Sequence, residues 1–360
     1  MFDIRGLFGG ERRLAALDIG SSSIKLAEIQ DTSKGYILSR FSQMPLARGV
    51  IIEGTVVEPK VLAATIKELY KQSGCRQKKI VTSLSGHAAI VKKVTFDRMD
   101  ESELQDLIED EAAKYLPFDD LTMVNYDCQI LGDNPYNPNQ MDVLIVVAQK
   151  EIIEGYTEAI EESGLLPVIM DVDTFALETM YEENYAFDQD EVAVLINIGA
   201  SITSLNAVKG GASIFTRDVT LGGNFITEAI AKNLNVSFED AEEVKISGFG
   251  DDEQARSISR DGMIAYADVI CSEIERSVDY FRSTFGGETI SQVLLSGGGA
   301  LIPGIAADLS RRLDLEVEMI NPFKRITCHK HILDKEAEDR LGPIAAVGVG
   351  LALRKIGDKA

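Results

Sequence analysis

The chain has 360 residues, of which 36 are Lys or Arg and 58 are Asp or Glu, so its formal net charge is −22. A surface this acidic repels nucleic-acid phosphates and anionic lipid headgroups, which argues against nucleic-acid binding and polybasic membrane binding. The four cysteines are isolated, with no CxxC, so neither a disulfide framework nor a zinc knuckle is indicated. No apolar stretch reaches the roughly 18–20 residues of a membrane span, so we expect a cytoplasmic protein without direct membrane insertion.

The two halves of the chain open with the same pattern. Residues 14–29 read LAALDIGSSSIKLAEI, and residues 193–208 read AVLINIGASITSLNAV. Each copy predicts an apolar strand, a turn with Gly and Ser, and a second strand, and each continues through a Gly-containing turn into a third strand. The repeat therefore predicts an α/β protein of two related lobes, each opening with an antiparallel meander.

The segment between the halves has a different character. Asp100 and Glu103 form a capping-box pattern, and a helix with apolar residues at helical spacing follows them. Strand-like runs flank this helix on both sides, which predicts a small inserted α/β subdomain. The second half then adds a mostly helical stretch before it returns to a strand and a Gly-rich turn. The predicted division is a first lobe core (1–85 and 167–190), an inserted subdomain (86–166), a second lobe core (191–223 and 286–360) and a helical subdomain (224–285).

Three Gly-rich turns can bind a nucleotide. Asp18-Ile-Gly-Ser-Ser-Ser23 and Asn197-Ile-Gly-Ala-Ser201 lie between strands, where successive backbone N–H groups can contact phosphate oxygens. Either turn alone fits a plain hairpin, but two copies facing each other would hold a polyphosphate from both sides. The run Ser296-Gly-Gly-Gly299 would let a base and a sugar lie against bare backbone, or is a tight strand-to-helix connection. The patterns GxxxxGK[ST] and GxGxxG are absent, so P-loop and dinucleotide-binding folds are not supported.

This ordered set of motifs resembles the actin-like ATPase superfamily. The place and size of the inserted segment resemble those of the cell-division protein FtsA. Within that branch, the opening DIGSSSIKLAEI and the turn SGGGALIPG are similar to those of the PilM family of type IV pilus systems. The resemblance implies an α/β, actin-like two-lobed ATPase fold with an FtsA-like inserted subdomain.

The resemblance also implies a site for ATP and Mg²⁺ between the lobes. Asp18 matches the acid that orders Mg²⁺ in the superfamily, and Asp173 matches the region that positions the attacking water, although it also fits a helix N-cap. Asn197 stands where relatives carry a second acid and cannot carry charge, so we expect ATP binding with slow or no hydrolysis. The superfamily places a Glu and a Lys beside the ribose and base, and Glu242 and Lys245 match them. The implied nucleotide-binding residues are Gly20, Ser21, Ser22, Ser23, Lys25, Asn197, Gly199, Ala200, Ser201, Gly222, Gly223, Glu242, Lys245, Gly297, Gly298, Gly299 and Leu301.

The resemblance implies a scaffold role in pilus assembly and twitching motility. In the PilM family, the N-terminal cytoplasmic stretch of the bitopic protein PilN inserts between the first lobe and the inserted subdomain. The implied partners are the PilN N-terminal peptide and the pilus platform and motor ATPases, which would hold the chain at the inner membrane. Two alternatives stay open, an FtsA-like filament-forming protein and a small-molecule kinase of the same superfamily. No acidic base for a phosphoryl acceptor stands out, and residues 355–360 do not resemble the amphipathic anchor usual in FtsA relatives.

Overall fold

The structure is a computed structural model that describes residues 14–115, 121–134, 137–247, 253–329 and 335–357. The strands of these ranges are β1 (Ala15–Ile19), β2 (Ser23–Thr32), β3 (Gly35–Pro45), β4 (Ile51–Ile52), β5 (Thr55–Val56), β6 (Lys79–Leu84), β7 (Ala89–Asp97), β8 (Val124–Asn134), β9 (Asn137–Gln149), β10 (Leu166–Val172), β11 (Val192–Ile198), β12 (Thr203–Lys209), β13 (Ala212–Val219), β14 (Ile290–Ser296), β15 (Val317–Met319) and β16 (Thr327–Cys328). The helices are α1 (Pro59–Ser73), α2 (Glu101–Tyr115), α3 (Lys150–Glu162), α4 (Asp173–Asn184), α5 (Gly223–Leu234), α6 (Phe238–Ser247), α7 (Glu253–Thr284), α8 (Ile305–Leu313) and α9 (Lys335–Leu353).

Two sheets with the same plan form the centres of the two lobes. The first has the strand order β10-β6-β1-β2-β3-β16, and the second has the order β13-β12-β11-β14-β15. In each sheet, three consecutive strands form an antiparallel meander, and the first strand of the meander pairs in parallel with a later strand of the same lobe. The strands β1 and β11 are central and consist almost wholly of buried apolar residues. The predicted repeat of two related meanders is therefore confirmed.

A separate three-stranded antiparallel sheet, β7-β9-β8, interrupts the first half. Its helix α2 begins with the predicted capping box, since the Asp100 carboxylate accepts the Glu103 N–H at 2.9 Å and the Glu103 carboxylate accepts the Asp100 N–H at 3.1 Å. Leu104 and Ile108 of α2 are buried against this sheet. The inserted unit thus has its own apolar core.

Helix α3 packs with the first lobe, although the predicted insertion of 86–166 includes it. Its buried residues Ile152, Tyr156 and Ile160 share a core with residues of α1 and of the first sheet. An amphipathic pattern of this kind fits either neighbour, because it shows only that one face is buried. By its packing, α3 belongs with the first lobe. The boundaries of the four predicted units remain predictions.

Helices α4 and α9 join the two lobes. Residues of both helices share one apolar core with strands of both sheets, including Met180 of α4 and Leu351 of α9. The helices approach closely at Gly350, where an added Cβ would lie 1.7 Å from the carbonyl oxygen of Ala176. In the described ranges, no helix combines the length and the hydropathy that a bilayer crossing requires.

Candidate nucleotide-binding cleft

The two predicted phosphate turns have the same closed form. In the first turn, the Gly20 N–H donates to the Ser23 carbonyl at 3.1 Å, and in the second, the Gly199 N–H donates to the Ile202 carbonyl at 2.9 Å. Each turn connects the first two strands of its meander. The repeated sequence therefore produces a repeated backbone conformation, one copy in each lobe.

The structure brings these two turns into contact. The Ser21 and Ser201 hydroxyl oxygens are 2.9 Å apart, so a hydrogen bond joins the two lobes at the tips of the turns. Ser22 is exposed beside this contact, whereas Ser23 is buried and its hydroxyl accepts a hydrogen bond from the Gln43 amide. Of the three predicted serines, Ser21 and Ser22 have side chains at the tip of the turn, and Ser23 is turned into the sheet.

Asp18 and Lys25 form a largely buried ion pair next to the first turn. They lie opposite each other on β1 and β2, with the Lys25 Nζ 3.0 Å from an Asp18 carboxylate oxygen. Their side chains are only 8% and 15% exposed, respectively. A buried carboxylate is stable when a cation compensates its charge, and here the lysine supplies that cation at the edge of the cleft.

Asp173 is the first residue of α4 and lies close enough to Asp18 for their charges to interact. The Ser83 hydroxyl donates to its carboxylate at 2.5 Å. Burial, followed by the neighbouring Asp18 carboxylate, raises the pKa of Asp173 to about 8. The α4 N-terminus has no side-chain cap, so the N-cap interpretation of Asp173 is not supported. At neutral pH, the protonated form of Asp173 predominates.

The raised pKa of Asp173 predicts how stability depends on pH. The folded chain holds this proton between about pH 4 and pH 8, whereas in the unfolded chain an ordinary Asp has lost it above about pH 4. The free energy of unfolding therefore falls as pH rises through this window. Asp173→Asn removes that contribution and should stabilise the chain at pH 8 by at least about 1 kcal/mol, since one pKa unit corresponds to about 1.4 kcal/mol.

Urea denaturation at pH 5 and pH 8 measures this effect. The exposed Asp188→Asn is the matched control and should leave the pH dependence unchanged. Glu178, whose pKa burial also raises to about 8, contributes a slope of the same sign that remains in the Asp173 variant. The prediction is contradicted if wild type and Asp173→Asn lose the same free energy of unfolding between pH 5 and pH 8.

The second turn is attached to the start of α5. The Gly223 N–H donates to the Gly199 carbonyl at 2.9 Å, and the Asn224 N–H donates to the Ala200 carbonyl at 2.7 Å. A Cβ built on Gly222 would lie 2.5 Å from the Gly199 carbonyl oxygen, so this approach requires glycine. The predicted residues Gly222 and Gly223 thus fix the helical subdomain to the second phosphate turn.

Glu242 and Lys245 lie one turn apart on α6, as predicted, and form an ion pair of 2.7 Å. The Lys245 ammonium also donates to the Gly223 carbonyl at 3.2 Å. This contact places the pair beside the α5 N-terminus and the second turn. The Thr227 hydroxyl, which the sequence analysis did not identify, is buried between the two charged groups.

The Gly-rich run packs closely against the end of β11. Gly297 has a φ of 84°, and a Cβ there would lie 2.3 Å from the Ile198 carbonyl oxygen and 2.6 Å from the Asn197 side-chain oxygen. A Cβ on Gly299 would lie 2.4 Å from Ile198 Cγ2, whereas a Cβ on Gly298 would have no neighbour within 4 Å. The run continues as a single 3₁₀ turn that ends at Leu301. The run therefore has free space beside Gly298, whereas Gly297 and Gly299 are packed against the end of β11.

Asn197 and Asp218 are further polar residues near the two phosphate turns. The Asn197 side-chain oxygen accepts the Ser296 hydroxyl at 3.4 Å, which connects the second turn to the Gly-rich run. Asp218 on β13 lies near enough to Asp173 to contribute to its raised pKa. Sequence reasoning missed Asp218, because a single Asp within a strand has no local signal. Its place opposite Ser204 follows only from the register of β12 and β13.

The donor set fits a hydrated Mg²⁺ that arrives with a nucleotide. Within the described ranges, no three His, Cys, Asp or Glu side chains are grouped as a metal site. Mg²⁺ usually retains several waters and needs one or two carboxylates plus substrate phosphates, which Asp18 and a bound triphosphate could supply. The cleft therefore offers two phosphate turns, an anchored Glu–Lys pair and an open stretch of Gly backbone.

Comparison with known proteins supports this interpretation of the fold. The family model for type IV pilus assembly protein PilM matches residues 16–356. A solved structure of the PilM–PilN type IV pilus biogenesis complex contains a chain with 30% identity and a TM-score of 0.85, over 96% of this chain and 99% of that one. Ethanolamine utilization protein EutJ from Carboxydothermus hydrogenoformans has a TM-score of 0.58 and 15% identity, over 95% of this chain and 89% of that one.

A further sequence relative is the cell division protein FtsA of Neisseria meningitidis serogroup B. It is 23% identical over 353 residues, which span 85% of this chain and 83% of FtsA. The predicted actin-like two-lobed fold with an FtsA-like inserted subdomain is confirmed by these similarities together with the two repeated sheets.

Proposed function

This chain belongs to the PilM family of type IV pilus assembly proteins, and from this premise we propose that it is an ATP-binding scaffold of the pilus inner-membrane complex. In this proposal, the N-terminal cytoplasmic segment of PilN docks on the chain and holds it at the inner membrane, next to the platform and the motor ATPases. The protein takes part in type IV pilus assembly.

The observation that carries the ATP site is the contact between the two phosphate turns. Ser21 and Ser201 meet at 2.9 Å across the lobes. Phosphates entering here would be contacted by both hydroxyls and by the backbone N–H groups of both turns. Asp18 would hold the Mg²⁺ of the nucleotide, which supplies charge neutralisation at the phosphates.

We propose that turnover of the bound ATP is slow or absent. The second turn carries Asn197, whose neutral amide oxygen attracts Mg²⁺ and water less strongly than a carboxylate would. This difference weakens the machinery that would activate a water.

The proposed PilN surface lies where the first lobe meets the inserted subdomain. The β4–β5 hairpin contacts the start of the insertion, since a Cβ built on Gly54 would lie 2.8 Å from the Ser85 carbonyl oxygen. Ile52 and Val57 on and next to this hairpin are 52% and 50% exposed. The neighbouring helix α3 adds an acidic exposed face. Apolar contacts and an acidic border suit a peptide with apolar and basic residues.

Ile52→Glu should weaken binding of the PilN N-terminal peptide by about tenfold or more, because it puts a charge in the apolar centre of this surface. Ile356→Glu is the matched control, since Ile356 is 57% exposed near the end of the described chain. Fluorescence anisotropy with a labelled peptide measures both. If the two variants bind the PilN peptide with equal affinity, the β4–β5 hairpin is not part of the docking surface.

The two alternative functions make different predictions. An FtsA-like filament former would sediment with nucleotide in the absence of PilN. A small-molecule kinase would transfer the γ-phosphate of ATP to an acceptor.

A further inference from the structure

A cavity of about 240 Å³ lies at the end of the second sheet that is opposite the phosphate turn. Its floor includes Ala193, near the start of β11, and Val208, near the end of β12, and both residues are buried. The phosphate turn follows the other end of β11, at Ile198. At about 3.3 Å per residue, this strand separates the cavity from the turn by roughly 17 Å, so the cavity is not part of the nucleotide cleft.

Four carboxylates surround this cavity, and in the described ranges none of them forms an ion pair. Two belong to the loop before β11 and two to β15 and the residue before it: Asp188, Glu191, Glu316 and Glu318. Among the described residues that line the cavity there is no Lys or Arg. The neighbouring Lys209 is paired with Glu288 at 2.7 Å, and the Lys324 ammonium lies over the Tyr185 ring at 3.9 Å. The negative charge around the cavity therefore has no cation to balance it.

A buried hydroxyl group is also directed at the cavity. Tyr181 is only 2% exposed and lines the cavity, and its ring stacks on Tyr185 and on Phe187 with centroid distances of 5.3 and 5.7 Å. Within the described part of the chain its hydroxyl makes no hydrogen bond. Burial, followed by the charge of Glu191, raises the pKa of Tyr181, so the hydroxyl lies near a carboxylate of the same cavity. A hydroxyl group in this position is costly without a partner, which a ligand would supply.

The chemistry of the lining favours a guanidinium group. Carboxylates only accept hydrogen bonds, whereas a guanidinium has five N–H donors, is always charged and packs its plane against aromatic rings. In the described ranges no three carboxylates are grouped closely enough to hold a metal ion, so the negative charge is spread over the rim. The volume of about 240 Å³ is below the roughly 300–1,000 Å³ of small-molecule sites, and it suits one side chain.

We propose that this cavity binds an Arg side chain from a basic segment of a partner protein, with Tyr181 and Glu191 contacting the guanidinium. The other three carboxylates attract the segment to the rim. The inference does not depend on the ATP site or on the proposed PilN surface. Attraction by exposed charges is screened by salt and is not selective, so the buried hydroxyl and the carboxylate beside it supply the specificity.

The test is a titration of the full chain with the peptide acetyl-Gly-Arg-Arg-Gly-amide, followed by NMR of labelled Ala and Val methyl groups. Saturable shifts are expected at Ala193 and Val208, because their side chains lie in the floor of the cavity. The same peptide with citrulline in place of both arginines keeps the size but loses the charge. It should bind about tenfold or more weakly.

Two substitutions test the contacts, and a third is their matched control. Tyr181→Phe removes only the hydroxyl and Glu191→Gln only the charge, and each should weaken the Arg peptide by about tenfold. Asp190→Asn removes an exposed charge from the same loop but outside the lining, so it should change the affinity less than about threefold. Thermal unfolding reports whether each variant folds, and the exposed Glu191→Gln keeps the test valid if Tyr181→Phe does not.

Three outcomes would overturn the inference. If Asp190→Asn weakens the peptide as much as Glu191→Gln, diffuse charge binds the peptide and the cavity does not. If spermidine shifts the same methyl groups in a Tyr181-dependent way and the Arg peptide does not, the ligand is a free polyamine rather than a protein segment. If the Arg peptide shifts neither methyl group up to about 10 mM, the cavity does not bind an Arg side chain.

Discussion

Gly350→Ala is expected to destabilise the fold by about 3 kcal/mol or more. The added methyl group would lie 1.7 Å from the Ala176 carbonyl oxygen, where α9 crosses α4. Backbone atoms of two packed helices cannot move apart without disturbing the core shared by the lobes, and overpacking of this kind typically costs 1–3 kcal/mol or more. Urea denaturation of both proteins measures the change in the free energy of unfolding.

Gly348→Ala on the same helix is the matched control. A Cβ there would lie 3.8 Å from the Cβ atoms of Ala27 and Asp18, which is an ordinary packing distance. Replacement of a helical Gly by Ala at a compatible site stabilises by about 0.5–1 kcal/mol. The two substitutions should therefore have opposite signs. If Gly350→Ala is as stable as Gly348→Ala, the close crossing of α4 and α9 is incorrect.

Gly298→Val is expected to weaken ATP binding strongly while the chain folds normally. A Cβ at Gly298 has no protein neighbour within 4 Å, so the side chain would extend into the open stretch of the Gly-rich run. If the base and sugar lie there, the added volume should weaken ATP by about 10–100-fold, which corresponds to a steric cost of about 1–3 kcal/mol. Isothermal titration with Mg·ATP and thermal unfolding measure binding and folding separately.

Gly297→Ala provides the contrast for this prediction. Gly297 has a φ of 84° and a built Cβ only 2.3 Å from a backbone oxygen, so this variant should lose stability. If Gly298→Val binds ATP with wild-type affinity, the nucleotide does not lie on the Gly-rich run, whatever the state of the two phosphate turns.

Local patterns were sufficient for much of the fold. The two copies of the strand–turn–strand pattern predicted the two meanders, and the Asp100 and Glu103 capping box marked the start of α2 correctly. These features depend on contacts within a few residues or on a repeated alternation of apolar side chains. The C-terminal boundary of the insertion is harder to predict from sequence. The amphipathic pattern of α3 shows that one face of the helix is buried, but not which element packs against that face.

Contacts between distant residues could not be predicted from local sequence. The hydrogen bond between Ser21 and Ser201 depends on how the two lobes pack. Asp218 and Thr227 look like ordinary polar residues of a strand and a helix, and only the folded chain places one near Asp173 and the other between Glu242 and Lys245. Likewise, the sequence shows several glycines in α9 but not that Gly350 alone meets a carbonyl oxygen of α4.

The most direct test of the scaffold proposal is a titration of the full chain with the N-terminal cytoplasmic peptide of PilN, with and without Mg·ATP. We predict saturable binding of one peptide per chain in both conditions. A change of affinity with Mg·ATP would be a coupling free energy between the cleft and the docking surface, which must appear equally as a change in ATP affinity when the peptide is bound. Absence of binding in both conditions would contradict the proposed role as a PilN-docking scaffold.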